Sequence, residues 1–295
     1  METYSIGIIG PGRVGKALLM ALKHAGHRIQ LVGGRNTDNL ETLKAELPET
    51  LFTSNYTHWP PVDILFITVP DDAIEDVADR ISRSKVNLRS VIVAHTSGAK
   101  SSDLLFNLRE KGALVASIHP ARSFAGLPDD YRKFRGSAFA IEGDPQAAAV
   151  LSRLFSSLGG IPFQIPTEAK PLYHLACVMV SNYSTALMGS GLSILEQIGI
   201  PRPKGKVILL PLLQTTVQNL NAADPEQVLT GPIARGDVET VKTHLENLKE
   251  KNPRRIQVYI SLGRETLNLA RKFAPDHFEK YELIEKLFQE FEVIS

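Results

Sequence analysis

The chain has 295 residues, 43% hydrophobic and 22% charged, and its 33 basic and 32 acidic side chains leave a net charge of +1. That length suits two domains of ordinary globular composition. The charge balance lacks the clustered basic excess that nucleic-acid or anionic-membrane binding requires. The single cysteine, Cys177, excludes an internal disulfide. With no secretory leader pattern at the N-terminus, the expected location is the cytoplasm.

The chain opens on an apolar run, Tyr4 to Ile9, followed by Gly10-Pro11-Gly12-Arg13-Val14-Gly15 and a helical pattern from Val14 to Lys23. Strand, glycine turn and helix together form the context of a dinucleotide-binding G-x-G-x-x-G. Gly10 suits the tight turn, Gly12 lets the backbone approach a pyrophosphate, and Gly15 lets the helix pack close on the strand. The helix start, with Arg13 and Val14, offers unpaired amides and a positive dipole end to the phosphates. The second strand, His27 to Val32, ends in Gly33-Gly34-Arg35-Asn36-Thr37, and no acid appears before Asp38. NAD-binding versions of this arrangement place an acid there for the ribose 2′-hydroxyl. Arg35 instead offers a permanently charged fork to a 2′-phosphate, with Gly34 and Asn36 beside it. The expected cofactor is NADP(H).

Further strands are expected at Thr50 to Thr53, Asp63 to Val69, Ser90 to Ala94, Ala113 to Ile118, Ala138 to Glu142 and Pro162 to Ile165, with helices at Ala73 to Ile81 and 145–158. This alternation signals a parallel sheet with crossover helices. Ligands of such sheets sit beyond the carboxyl ends of the strands. Val69 and Pro70 therefore join the cofactor residues. By the same logic His95 and Ser97 are expected near the nicotinamide, and His119 and Arg122 near the substrate, Arg122 as a clamp for a carboxylate.

From about Pro166 the pattern is helical: 168–198, 204–221, 237–249, 254–273 and 277–291. The expected fold is α/β, with a doubly wound Rossmann sheet over 1–165 and an all-helical substrate and dimerisation domain over 166–295. The last helix is expected to bury Phe278, Tyr281, Ile284, Leu287, Phe288 and Phe291. Pro171 to Leu195 contains no Asp, Glu, Lys or Arg, but its His, Asn, Ser and Thr side chains are costly in hydrocarbon. It is therefore read as a buried central helix, inside the protein or in a homodimer interface, and no membrane partner is expected.

On that helix Lys170, His174, Ser181 and Thr185 fall within an arc of roughly 60° at 100° per residue. A polar stripe almost free of charge suits the wall of a wet cleft better than a solvent face. Reduction of a carbonyl or imine needs a proton, which a buried lysine or a histidine supplies. Lys170 is the expected donor and His174 the group that polarises the substrate, with Ser181 and Asn182 as further substrate contacts. Pro171 is expected to hold Lys170 out of helical geometry. Arg235, in Thr230-Gly231-Pro232-Ile233-Ala234-Arg235-Gly236-Asp237, is a candidate anion contact. Cys177 is expected to be an inert buried thiol. No metal is expected, since one cysteine gives no zinc spacing and the histidines form no i, i+4 pair.

The assembled pattern resembles the superfamily of ketopantoate reductase, pyrroline-5-carboxylate reductase and the β-hydroxyacid dehydrogenases, nicotinamide enzymes with a helical C-terminal domain of the 6-phosphogluconate dehydrogenase type. In hydroxyacid dehydrogenases and ketopantoate reductase a catalytic lysine is followed four residues later by asparagine. Lys170 matches the lysine, and His174 stands in place of the asparagine. A closer resemblance is to a bacterial oxidoreductase family that joins a Rossmann-like domain to a C-terminal domain of unknown function (DUF2520 type). His119-Pro120 to Phe124, Tyr173-His174 to Ser181-Asn182, and Leu229 to Asp237 carry it. The function expected is NADPH-dependent hydride transfer to a small ketone, keto acid or imine. Its rivals are a non-catalytic NADP(H) sensor or assembly protein and, from His119-Pro120 after a strand, a prephenate-dehydrogenase-like enzyme.

Overall fold

Alternating apolar residues and short turns build eight strands in a computed structural model that describes residues 2–35, 37–56 and 58–292. Asn36, one of the expected cofactor residues, lies outside the described residues. The chain divides into two compact units, Met1–Thr185 and Ala186–Ser295.

In the first unit the strands are β1 (Ser5–Ile9), β2 (Arg28–Gly33), β3 (Leu51–Thr53), β4 (Ile64–Ile67), β5 (Ile92–His95), β6 (Leu114–Pro120), β7 (Ala138–Gly143) and β8 (Ile161–Gln164). They form one sheet in the order β3-β2-β1-β4-β5-β6-β7-β8. The order reverses at β1, which places a crevice beyond the carboxyl ends of β1 and β4. Successive side chains point to opposite faces: Ile8 joins the core under helices α1 (Arg13–His24) and α5 (Pro145–Ser157). Its neighbour Ile9 joins the core under α3 (Ile74–Ser82) and α4 (Phe106–Arg109). A helix at Thr37–Lys44, α2, follows β2.

The doubly wound α/β class is as expected, with one correction to its strand directions. β1 to β6 are parallel, but β7 pairs antiparallel with β6, matching Ile118 with Ile141 and His119 with Ala140. A parallel return needs a crossover helix. The chain between β6 and β7 holds only a 3-10 segment, Pro128–Phe134, and so turns back beside its own strand.

The helix α6 (Lys170–Gln197) begins in the first unit and ends in the second, which also holds α7 (Arg202–Ala222), α8 (Pro225–Val228), α9 (Val238–Lys251), α10 (Ile256–Phe273) and α11 (Phe278–Glu292). The core of the second unit gathers Val241, Leu245, Ile256, Ile260, Leu267, Tyr281, Ile284 and Phe288. Phe278 corrects the expected burial of the last helix: it is 60% exposed. It opens the helix, before the first complete turn faces the core.

Candidate functional site

The turn after β1 is shaped by what a side chain would strike. Gly10 has φ +93, and a Cβ there would lie 2.6 Å from Val69 Cγ1. At Gly15 a Cβ would collide with the Gly10 carbonyl and Thr68 Oγ1, so α1 sits against the strand as closely as backbone allows. Thr68 secures the turn by donating to the Gly10 carbonyl at 2.6 Å. At Gly12 the nearest atom to a Cβ is 4.0 Å away, which leaves the N-terminus of α1 open. The amides of Arg13, Val14 and Gly15 occupy its first turn, where no intrahelical acceptor exists.

This turn forms one wall of a cleft of about 200 Å³ lined by Gly10, Pro11, Gly12, Gly34, Arg35, Val69 and Pro70, among others. The expected cofactor residues from three separate loops thus meet. Tyr56, Thr68, Asp76 and Arg80 line it as well and were not singled out from the sequence. Ala73, Asp76, Val77 and Arg80 recur at helical spacing, so one face of α3 was readable, but nothing local says what it faces.

A second cavity of about 600 Å³ lies at the end of β6 against α6, lined by residues 119–123 together with Tyr173, His174, Cys177, Ser181 and Asn182. It brings together His119, Arg122, His174, Ser181 and Asn182 of the expected set. The His119 and His174 rings stand 5.8 Å apart, edge to face. Both rings press on Gly98, where a Cβ would lie 2.8 Å from His119 Nε2. His119 Nδ1 shares a hydrogen bond of 3.1 Å with the Tyr173 hydroxyl. Burial, then the positive charge of Lys170, lowers the pKa of His119 to about 4, so the ring is neutral near pH 7. Burial, with Cys177 alongside, raises that of Tyr173 and keeps it a phenol. Cys177 is half-buried on the cavity wall rather than packed in the core.

Beneath this cavity runs a polar row in the sheet. His95 on β5 pairs with Ser117 on β6, and Ser117 with Glu142 on β7. All three are buried, and Lys170 closes the row with no exposed surface. Its Nζ bonds to Ser117 Oγ and lies 3.4 Å from Glu142 Oε1. Glu142 also accepts from the Ser102 amide at 2.9 Å, the Ser102 hydroxyl at 2.8 Å and Thr167 Oγ1 at 3.1 Å. Burial lowers the Lys170 pKa, and Glu142 opposes that shift. Lys170 is helical, contrary to the reading of Pro171: a 3-10 turn, Thr167–Ala169, leads into α6, and proline is tolerated in a first helical turn.

Three of the expected residues lie outside both cavities. Lys170 is fully buried and lines neither of them. His95 sits one layer deeper than His119. Its Nδ1 accepts from the Ser97 amide at 3.2 Å, and its Nε2 then donates to the Ser101 carbonyl at 2.9 Å. Burial lowers its pKa to about 4. Ser97 spends its hydroxyl accepting from the Ala99 and Lys100 amides. Neither His95 nor Ser97 lines either cavity. In the second unit Arg235 is exposed on a loop that is tied by Tyr281 Oη, which donates to the Ala234 carbonyl at 2.9 Å, and that ends at Asp237, the cap of α9.

Of the two places expected for the central helix, the interior of the single chain is not where it lies. In the single chain it is not covered: Leu172 is 71% and Tyr183 54% exposed in the first unit, and α7 in the second exposes Val207 and Leu212. No helix among the described residues is long and apolar enough to cross a membrane. Among those residues no cluster of three His, Cys, Asp or Glu side chains could hold a metal ion.

Residues 2–120 match the family model of a Rossmann-like domain, and residues 137–266 match that of a domain of unknown function, DUF2520. The structure of protein TM1727 from Thermotoga maritima is 26% identical, with a TM-score of 0.72, covering 92% of this chain and 98% of its own. BF3122 from Bacteroides fragilis, designated a candidate NADP oxidoreductase, is 21% identical with a TM-score of 0.70 over the same shares. An imine reductase from Myxococcus stipitatus, solved in complex with NADP+, is 18% identical with a TM-score of 0.62, covering 91% of this chain and 93% of its own. The last two are likenesses of fold. No curated protein matches the sequence.

Proposed function

Starting from a chain that joins a Rossmann-like domain to a DUF2520 domain, we propose an NADP(H)-dependent oxidoreductase that reduces a small polar ketone, keto acid or imine. The observation that carries this reading is the glycine cradle with Arg35 at its rim. Side chains would fill the space at Gly10 and Gly15, whereas Gly12 leaves the helix N-terminus open to a pyrophosphate. Arg35 has no ion pair among the described residues, and its planar fork matches a phosphate. The likeness to the NADP+-bound imine reductase and to BF3122 supports both the cofactor and the reaction class.

Bound in this cleft, NADPH supplies a hydride. The residues of the second cavity do the rest. A carbonyl or imine that gains a hydride must also gain a proton on its oxygen or nitrogen. We assign that transfer to His174, which faces the cavity with its ring held against Gly98 and His119. The Tyr173–His119 hydrogen bond fixes a neutral donor beside it. Arg122 receives an acidic group of the substrate, and Ser181 and Asn182 receive polar substituents. Lys170 is a positioning residue: it anchors the start of α6 to Ser117 and Glu142, and its charge helps keep His119 neutral.

The working form we propose is a homodimer. α6 turns His174, Cys177 and Ser181 to the cavity and leaves Leu172 and Tyr183 uncovered. Monomeric proteins rarely expose so large an apolar face.

The test is calorimetric titration of the full chain with NADPH and NADH. NADPH is expected to bind at least about tenfold more tightly, as one charge-assisted phosphate contact provides, and Arg35→Gln to erase that preference. Binding of neither nucleotide overturns the reading.

A further inference from the structure

We propose that Arg80, on α3, is a second reader of the cofactor 2′-phosphate and works with Arg35 across the buried ring of Tyr56. This rests on the NADP(H) reading of the same cleft and deepens it, because the β2 loop alone was expected to choose between the two nucleotides.

Arg80 and Arg35 come from different elements, yet both line the cleft with Tyr56. Tyr56 is only 3% exposed, while both guanidinium groups reach solvent. Arg80 Cζ stands 4.7 Å from the centre of the Tyr56 ring. A guanidinium held over a ring in this way can still offer N–H donors to another partner. Both cations act on the same hydroxyl: burial raises the Tyr56 pKa, and the charges of Arg80 and then Arg35 pull against it.

Beyond the ring contact of Arg80, neither arginine makes an ion pair among the described residues. Among the described residues no carboxylate lies within ion-pair distance of either, although Asp76 is four residues before Arg80 and lines the same cleft. The contrast lies three residues along the same helix, where Asp79 and Arg83 pair at 3.7 Å with the same spacing. Two cations that line one cleft without an ion pair repel each other. An anion between them removes that cost, and a doubly charged phosphomonoester gives each guanidinium an oxygen edge. The ribose 2′-phosphate is the group that distinguishes NADPH from NADH, and the far rim of a cleft that begins at the Gly10–Gly15 phosphate turn is where the adenosine half belongs.

Arg80→Gln is the variant to measure, because an exposed side chain can be replaced there without opening the core. Wild type and variant are titrated with NADPH, NADH and adenosine 2′,5′-bisphosphate. In the variant, affinity for NADPH and for the bisphosphate is expected to fall by about tenfold or more, the loss of one charge-assisted contact, while NADH binding stays as it was. Arg80→Lys, which keeps the charge and loses the fork, is expected to fall between the two. Equal losses for NADPH and NADH would assign Arg80 to the adenine face and overturn the inference, as would no change in either. If the wild-type chain itself shows no preference for NADPH, the cofactor reading fails first. If it prefers NADPH and Arg80→Gln keeps that preference, only the role of Arg80 fails.

Discussion

The buried pair of Lys170 and Glu142 allows a quantitative test of how the start of α6 is held. Both side chains are buried, 3.4 Å apart, and the carboxylate is further satisfied by Ser102 and Thr167. Glu142→Gln keeps the shape and one acceptor oxygen but removes the charge. The ammonium then lies in the interior with neutral partners only, the serine hydroxyl and the amide oxygen. Breaking a buried pair from one side costs about 3–5 kcal/mol, whereas replacing both partners by groups of similar volume is far cheaper. Urea denaturation of wild type, Glu142→Gln, Lys170→Met and the double variant is expected to give that loss for Glu142→Gln. The double variant should recover most of it. The penalty should also depend on pH. Burial lowers the Lys170 pKa, and Glu142 is the chief force against it. In Glu142→Gln the folded chain therefore binds its proton less tightly than the unfolded one, and the gap to wild type should narrow as pH rises from 7 towards 10. A Glu142→Gln chain within about 1 kcal/mol of wild type, or strictly additive single variants, would refute the reasoning.

Gly12→Ala should leave thermal stability unchanged and weaken NADPH by about tenfold or more, since its Cβ meets only the approaching phosphate; Gly15→Ala should lose binding and about 1–3 kcal/mol of stability together. Parallel melting and titration curves separate the two, and equal stability losses would count against the cradle. His95 stays neutral in the folded chain down to about 4 but protonates near 6.5 when unfolded. The unfolded state thus binds more protons in that window, so stability should fall as pH drops from 6.5 to 4, at a slope approaching about 1.4 kcal/mol per pH unit from His95. His119, lowered in the same way, adds a second such contribution, so denaturation midpoints across that range should vary less steeply in His95→Gln, without becoming flat. Val207→Glu, at a position 74% exposed on α7, should convert a dimer to a monomer in sedimentation velocity; a wild-type monomer at micromolar concentration sinks the dimer. His174→Ala should keep NADPH affinity and slow turnover of any keto acid or imine that the enzyme reduces by about a hundredfold. Unchanged turnover removes His174 from the chemistry.

What was legible in the sequence was what folding keeps local. The phosphate turn, its strand and its helix are contiguous, so their glycines declare their steric roles in order. Arg35 follows from its position after β2. Tyr56 and Arg80 had no such signature, because only the tertiary fold brings α3 and the chain after β3 to one ring. The direction of β7 depended on a connection whose 3-10 segment has no apolar period to read. His95 and His119 show the limit most sharply. Each lies in the last two residues of a strand, yet His95 lies level with Ser117 and His119 two residues further out on the neighbouring strand. That offset of one layer decides that backbone groups consume both nitrogens of His95 while His119 opens on a cavity. Register, unlike periodicity, is not written in either segment alone.

The long helix joins these lines of argument. Its polar stripe was visible at 100° per residue. An ordinary surface helix turns its apolar face inward. This one turns His174, Cys177 and Ser181 towards the cavity, and Leu172, Met179 and Tyr183 outward. Sealing Lys170 against Glu142 at its first residue fixes that rotation, because a helix pinned at one end by a buried charge pair is not free to roll its apolar side to the core. The wet cavity and the uncovered face are then two consequences of one constraint. The same buried ion pair thus bears on both the cavity histidines and the uncovered apolar face, the face that the proposed dimer would cover.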